Sequence, residues 1–277
     1  MEKKVRVAFK EPKDGAVKVA VEDAVVVPPT TVSQSQPKPG YFPLDFPSKY
    51  RVYPDVDPSK VGIRTLKGKD EKLIAELTYD NFEKKFIEVL KNTLIGIDPR
   101  QLTIGDRMYI MLWQAINSYN KMAVIDTTCE HCFQKMEMEI DLSTLQVIDL
   151  PIDFVEPYKI KLSTGDIVNL KIFRVSDEEK MYDVEKAGYQ TWLYRYALTI
   201  IDPKKGDWDK VAMLEEMDTR DLALIRAFHE KYTHGPKLET TLECPKCGGV
   251  GLVPVPFRLE MFFPYGKSLR RYFGDTI

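Results

Sequence analysis

"TTCEHCFQ" at residues 127–134 sets two thiols, Cys129 and Cys132, two residues apart, and "LECPKCGG" at 242–249 repeats the spacing with Cys244 and Cys247. The chain has no other cysteine. A Cys-x-x-Cys turn brings both sulfurs to one side of a tight knuckle, where backbone amides can donate to them and spread their charge. Two knuckles face to face supply four thiolates at tetrahedral corners, about 2.3 Å from a zinc ion. In the second knuckle Pro245 stiffens the turn, and Gly248 and Gly249 admit the positive φ angles that the exit needs.

Both pairs lie between segments that read as strands. "KMAVIDTT" precedes the first and "KMEMEIDL" follows it; there Met136, Met138, Ile140 and Leu142 alternate with charged residues, the period of a half-exposed strand. "KLETTLE" and "GLVPVPFRLEMFF" flank the second pair. This is the layout of a zinc ribbon, with one difference. Compact ribbons separate their pairs by about 15–20 residues, whereas residues 133–243 intervene here. The ribbon is therefore expected to be split by an insertion. Loop closure grows only logarithmically with length, so the gap is no obstacle, and a folded insertion lowers its cost further.

The alternatives are a thioredoxin-type redox pair, two disulfides, or four unrelated thiols. Neither pair sits in a βαβ frame, and a chain without a secretory signal is expected to fold in a reducing cytoplasm, where stable disulfides are rare. Structural Zn2+, one ion per chain held by Cys129, Cys132, Cys244 and Cys247, is the favoured reading. Four thiolates close the shell, which argues against an enzyme at this site. His131, inside the first knuckle, is a rival ligand that the two-residue spacing disfavours.

The rest of the chain gives an α+β expectation: a helical region plus a zinc ribbon split by a hairpin-and-helix insertion, with an extended N-terminal arm. The arm covers residues 1–47, where "VKVAVEDAVVV" (17–27) runs into the proline-rich "PPTTVSQSQPKPGYFP". A first strand and helical region follow at 48–119. Residues 48–67 alternate as a short strand with turns; "DEKLIAELTYDNFEKKFIEVLKNTL" has helical spacing with a break near Thr78. Thr103 is the expected N-cap of a further helix, with Asp106 in a capping-box-like position and Met108, Leu112, Trp113 and Ile116 as its apolar stripe. The ribbon halves fall at 120–150 and 237–263, around an insertion at 151–236. Within it, "YKIKLSTGDIVNLKIF" reads as a hairpin over a Ser-Thr-Gly-Asp turn, followed by helices within 177–201, 207–217 and 218–235, the last stopped by Gly235. A tail, 264–277, ends the chain.

Other chemistry is sparse. His229 and His234 are placed at the end of the last helix, where a cation suits the dipole. Asp207 and Asp209 lack the ligand order of a calcium loop and read as a solvated turn. Catalytic, phosphate-binding and dinucleotide motifs are missing. Lysine plus arginine (40) nearly balances aspartate plus glutamate (42), which gives no global case for nucleic acid or an anionic membrane as the main partner. No apolar run is long enough to span a bilayer. Tyr41, Phe42 and Phe46 in the arm, and Phe262, Phe263, Tyr265, Tyr272 and Phe273 near the end, are the expected contact aromatics, since such residues dominate interface hot spots.

The order of these features resembles the T-even-type baseplate hub protein family of contractile-tailed bacteriophages. The likeness runs from about residue 48 to the C-terminus. It is carried by "YPDVDPSKVGIRTLKGKDEKLI", "LIGIDPRQLTIGDRMYIMLWQAINSYN", "CEHC" with "IDLSTLQVIDLP", "TRDLALIRAFHEKYTHGPKL", and "CPKCGG" leading to "MFFP". The resemblance implies a non-enzymatic structural or assembly protein of the tail baseplate, made in the host cytoplasm and located in the virion. Its partners would be other baseplate and tail proteins and copies of itself. The rival expectation is a nucleic-acid-binding zinc-ribbon accessory protein, against which the balanced charge counts.

Overall fold

The computed structural model describes residues 38–78, 81–256 and 262–264. After β1 (Phe42–Pro43) and β2 (Gly62–Ile63), helices α1 (Gly68–Ala75) and α2 (Phe82–Thr93) lead to β3 (Leu94–Ile95) and α3 (Ile104–Ser118). The three short strands form one antiparallel sheet in the order β1-β2-β3. The break expected near Thr78 is real: the Asn81 side chain accepts from the Thr78 amide (2.8 Å) and donates to the Glu76 carbonyl (2.9 Å). The short strand with turns expected over 48–67 is present, with β2 as its strand. Pro54 and Pro58 remove ladder donors, and Lys49 and Tyr50 take positive φ angles of 50° and 60°, so most of the segment runs in turns.

The second half is built on hairpins. β4 (Met122–Thr128) and β5 (Lys135–Asp141) pair antiparallel along their full length. Next come β6 (Val147–Ile148), the hairpin β7 (Tyr158–Lys161) and β8 (Ile167–Leu170), and helices α4 (Val175–Lys186), α5 (Trp192–Ala197), α6 (Asp207–Glu215) and α7 (Thr219–Lys231). Finally β9 (Gly235–Pro236) leads into a hairpin of β10 (Glu239–Glu243) and β11 (Val250–Pro254). β6 pairs with β9, Val147 opposite Pro236 and Ile148 opposite Gly235. The inserted segment thus leaves and rejoins the chain at one place, and the Lys237 amide adds a bond to the Gln146 carbonyl there (2.8 Å).

Beside that junction lies the N-terminus of α3. Thr103 caps the helix as expected, its hydroxyl accepting from the Asp106 amide (3.1 Å). Asp106 does not close a capping box. Its carboxylate instead accepts from the Ser48 amide (3.0 Å) and the Tyr53 hydroxyl (2.5 Å), and Tyr53 oxygen in turn accepts from the Thr103 amide (2.8 Å). His234 reaches the Thr103 hydroxyl (2.8 Å), so Ser48, Tyr53, Thr103, Asp106 and His234 meet in one buried polar cluster. Gly235 is not a helix stop, since α7 ends at Lys231 with Tyr232 as its C-cap. With φ at +106°, it lies so close to α3 that a Cβ there would stand 2.7 Å from the Gly105 carbonyl oxygen.

Several residues expected at contacts with other chains belong to this chain's own core. Phe46, Phe262 and Phe263 are fully buried, Phe263 against Phe86 (5.8 Å) and Tyr119 (6.4 Å). Leu44 and Phe46 place the end of the expected arm, residues 38–47, within the folded body. Tyr41 is half-buried, and Phe42 packs on Trp113 at 5.7 Å. The expected arm residues 1–37, including the valine-rich 17–27, and Tyr265, Tyr272 and Phe273 lie outside the described residues.

His229 also departs from expectation. Burial, with the Arg195 charge beside it, pushes its imidazole down to about 4, so it is neutral rather than a cation on the helix dipole. An unfolded histidine titrates near 6.5. The unfolded chain therefore takes up a proton that the folded one refuses as pH falls from about 6.5 towards 4, and stability drops in that window. Urea titrations across this range should show the loss, and His229→Gln should flatten it. Asp106→Ala strands two buried donors, each costing about 1–3 kcal/mol; the same titrations should show a loss of about 2–6 kcal/mol, and Asp106→Asn, which keeps an acceptor, should lose less.

Candidate metal centre

The two cysteine turns are the same local structure built twice. At the tip of β4–β5, the Cys129 amide donates to the Gln134 carbonyl (3.0 Å) and the Phe133 amide to the Cys129 carbonyl (2.9 Å). At the tip of β10–β11, the Cys244 amide donates to the Gly249 carbonyl (2.9 Å) and the Gly248 amide to the Cys244 carbonyl (2.8 Å). Amides also point at sulfur: His131 N–H at Cys129 Sγ and Gly249 N–H at Cys247 Sγ, both 3.4 Å.

The fold brings all four sulfurs together, within 4.8 Å of one another. Cys129 Sγ lies 3.7 Å from Cys247 Sγ, and Cys132 Sγ lies 3.7 Å from Cys244 Sγ, so each contact crosses between the hairpins. A tetrahedron with sulfurs about 2.3 Å from its centre has edges of about 3.8 Å. A disulfide needs about 2.05 Å, and all four cysteines are free. The cluster is able to hold a metal ion. Its electrostatics point the same way. The amides of Cys247 and Lys246 pull the Cys244 thiol down to about 6. At Cys247 the Gly249 amide also lowers, but desolvation and the sulfurs of Cys132, Cys244 and Cys129 push the thiol up to about 12. Four crowded thiolates repel one another until a cation sits among them.

His131 is not one of the clustered groups. Its Nε2 lies 3.2 Å from the Val250 carbonyl oxygen, and its ring covers Gly249, where a Cβ would stand 2.9 Å from His131 Cγ. A second tie joins Lys246 Nζ to Gln134 Oε1 (3.0 Å). These cross-links hold one knuckle against the other, and the spacing of the cysteines alone did not disclose them. Gly248 has the positive φ, +70°, that the exit requires. Gly249 is needed for the close approach of His131 instead. At the position matching Gly248 the first knuckle carries Phe133, also left-handed (φ 57°) and 78 % exposed.

The remaining candidates have local roles. Asp207 pairs with Lys180 (2.8 Å), and the Asp209 carboxylate accepts from the Gly206 amide (2.9 Å) at the start of α6. His229 lies 3.1 Å from the Thr199 hydroxyl, and His234 belongs to the Asp106 cluster.

Over residues 48–264, which include both knuckles and the whole insertion, the sequence matches the family described as T4 bacteriophage base plate protein. The chain belongs to that family. It is therefore a phage baseplate protein, with the virion tail as its place and other tail proteins as its partners. No curated protein and no solved structure matches it significantly. Among the described residues, no helix is long and apolar enough to cross a membrane.

Gly249→Ala forces the His131 ring away and loosens the tie between the knuckles. Loss of such supporting contacts weakens metal sites by about 10–100-fold, and chelator competition on the metal-loaded variant should show a drop of that order. Gly248→Ala should instead strain the backbone by about 1–2 kcal/mol, visible as a lower melting temperature.

Proposed function

We propose that this baseplate protein is a structural component or assembly factor of the hub region of a contractile tail, joining neighbouring tail proteins. We further propose that Cys129, Cys132, Cys244 and Cys247 hold one structural Zn2+. The observation that carries the reading is the pairing of a family match across most of the chain with a four-sulfur cluster of tetrahedral size. Four thiolates suit a borderline-soft ion with no geometric demand of its own, and they leave no position open for substrate. That closed shell argues against catalysis at this site and supports a static role there.

Zinc has work to do at this place. The two hairpins are separate two-stranded sheets, and an isolated hairpin is marginal in water. An ion bridging their tips would supply folding energy that so small a pair of sheets lacks. The rival nucleic-acid reading fares worse. Lysine plus arginine (40) nearly balances aspartate plus glutamate (42), so the chain has no basic excess to favour phosphate.

Elemental analysis of the purified protein should find about one zinc per chain, the content of one closed tetrahedral shell. Cys129→Ser and Cys247→Ser should each lose the ion and melt at lower temperature. In a null phage, the wild-type gene should restore tails seen by electron microscopy of the lysate, and the serine variants should not. A metal-free protein with unchanged melting removes the zinc, and a null phage with normal tails removes the structural baseplate role.

A further inference from the structure

Each hairpin that carries a cysteine turn has two outer edges, and the hydrogen bonds show which backbone groups face them. In β10–β11 the Cys244 amide donates to the Gly249 carbonyl and the Val255 amide to the Leu238 carbonyl (both 2.9 Å). Bonded and unbonded pairs alternate along an antiparallel ladder. In the observed register Leu242–Gly251 and Thr240–Val253 are therefore the bonded pairs, and Glu243–Val250, Thr241–Leu252 and Glu239–Pro254 are the unbonded ones. The backbone groups of Val250, Leu252 and Pro254 thus point away from β10. Among the described residues β11 pairs with no other strand. Of these outward groups the Val250 carbonyl is taken, by His131 Nε2 at 3.2 Å.

Natural sheet edges are commonly guarded by charge. The same alternation, started in β4–β5 by the Cys129–Gln134 bond, puts Asp126 among the outward positions of β4 and Lys135, Glu137 and Glu139 among those of β5. Glu239 and Glu243 hold the outer edge of β10. β11 differs. Its outward residues carry no charge, and Val250 and Leu252 are 58 % and 54 % exposed.

Such an edge matches a second copy of itself. Outward-facing residues can pair only with outward-facing residues, so two antiparallel β11 strands register about Leu252, each Val250 opposite the partner's Pro254. The two Leu252 residues then exchange both of their hydrogen bonds, and each Val250 amide donates to the carbonyl of the partner's Pro254. Proline has no N–H to return. The carbonyl left without a donor is that of Val250, the one group His131 already holds. Donors and acceptors of the strand are therefore complementary to their own copy, and no like charges meet across it, as they would between two β10 edges.

We propose that β11 is a self-association edge, through which two copies of this chain join their β10–β11 hairpins into one continuous antiparallel sheet. Pairing covers Val250 and Leu252 and brings a marginal two-stranded hairpin to a size at which sheets are stable. The contact goes beyond the metal reading and does not depend on which ion the cysteines hold.

So short an edge makes a small interface and a weak dimer, to be followed by sedimentation equilibrium of the full chain at about 1–200 μM. Leu252→Pro removes the central donors, and it costs no bond within the hairpin because that amide faces away from β10. Leu252→Lys sets two like charges against each other at the dyad and keeps the test open if the proline variant misfolds. Each should raise the dimer dissociation constant about 10–100-fold. Thr241→Lys, on the same face but on β10, should dimerise like wild type. Metal content and melting, measured on the same samples, keep a failure of the metal reading separate. A wild type that stays monomeric across the range, or a dimer that survives either Leu252 variant in folded form, overturns the proposal. So does an equal loss in Thr241→Lys, which would assign the contact to the face of the sheet.

Discussion

The backbones of α3 and β9 approach so closely that a Cβ on Gly235 would stand 2.7 Å from the Gly105 carbonyl oxygen and one on Gly105 would overlap the His234 carbonyl oxygen. That close approach positions the junction where the insertion leaves and rejoins the chain, through the β6–β9 pair. It also sets the direction in which β10 departs, and so where the second cysteine turn arrives. Around it, Ser48, Tyr53, Thr103, Asp106 and His234 exchange hydrogen bonds in a site closed to water. A cluster of this kind specifies one arrangement, since any slip would leave buried polar groups unpaired. The cysteine cluster is therefore brought together at a distance, with help from the close packing of Gly105 against His234 and Gly235.

Energetically the two halves of the molecule differ in kind. The helical body rests on one continuous apolar core that extends from Leu44 and Phe46 to Phe262 and Phe263, residues close to the two ends of the described chain. The hairpins β4–β5 and β10–β11 contribute residues such as Ile125, Ile140 and the half-buried Val253 to that core at their bases. Their tips hold polar and sulfur groups, where geometry rather than burial has to provide the stability. The side-chain ties from His131 and Lys246 across the tips are weak singly but restrict how the sulfurs face one another.

The parts of this structure legible in the sequence are those whose cause is local. A two-residue spacing makes a knuckle wherever it occurs, alternation of Met136, Met138 and Ile140 makes a strand face, and Thr103 caps a helix by bonding three residues ahead. A mixed α and β architecture followed from these signals. What stayed hidden depends on partners far away in sequence. Asp106 looked like half of a capping box, yet its carboxylate is taken by Ser48 and Tyr53, more than fifty residues earlier. Phe46, Phe262 and Phe263 flank irregular stretches with no periodicity to announce a buried face, and so read as surface. The role of Gly249 was mistaken for a backbone angle because the ring that crowds it belongs to the other knuckle. The matching of "CEHCF" with "CPKCG", which sets Phe133 against Gly248, was visible in the letters all along.

The same split has a consequence in time. Cys132 and Cys244 are 112 positions apart, and a ribosome adding roughly 5–20 residues each second needs about 6–22 s to make the second after the first. For that interval the nascent chain exposes a lone dithiol, able to bind a metal loosely or to be oxidised, with no partner knuckle to complete it. The insertion is made entirely within the same window, and its two ends can pair as soon as β9 emerges, just ahead of Cys244. The order of synthesis thus places the β6–β9 junction before the last two cysteines, so that the second knuckle is made after the segments that position it.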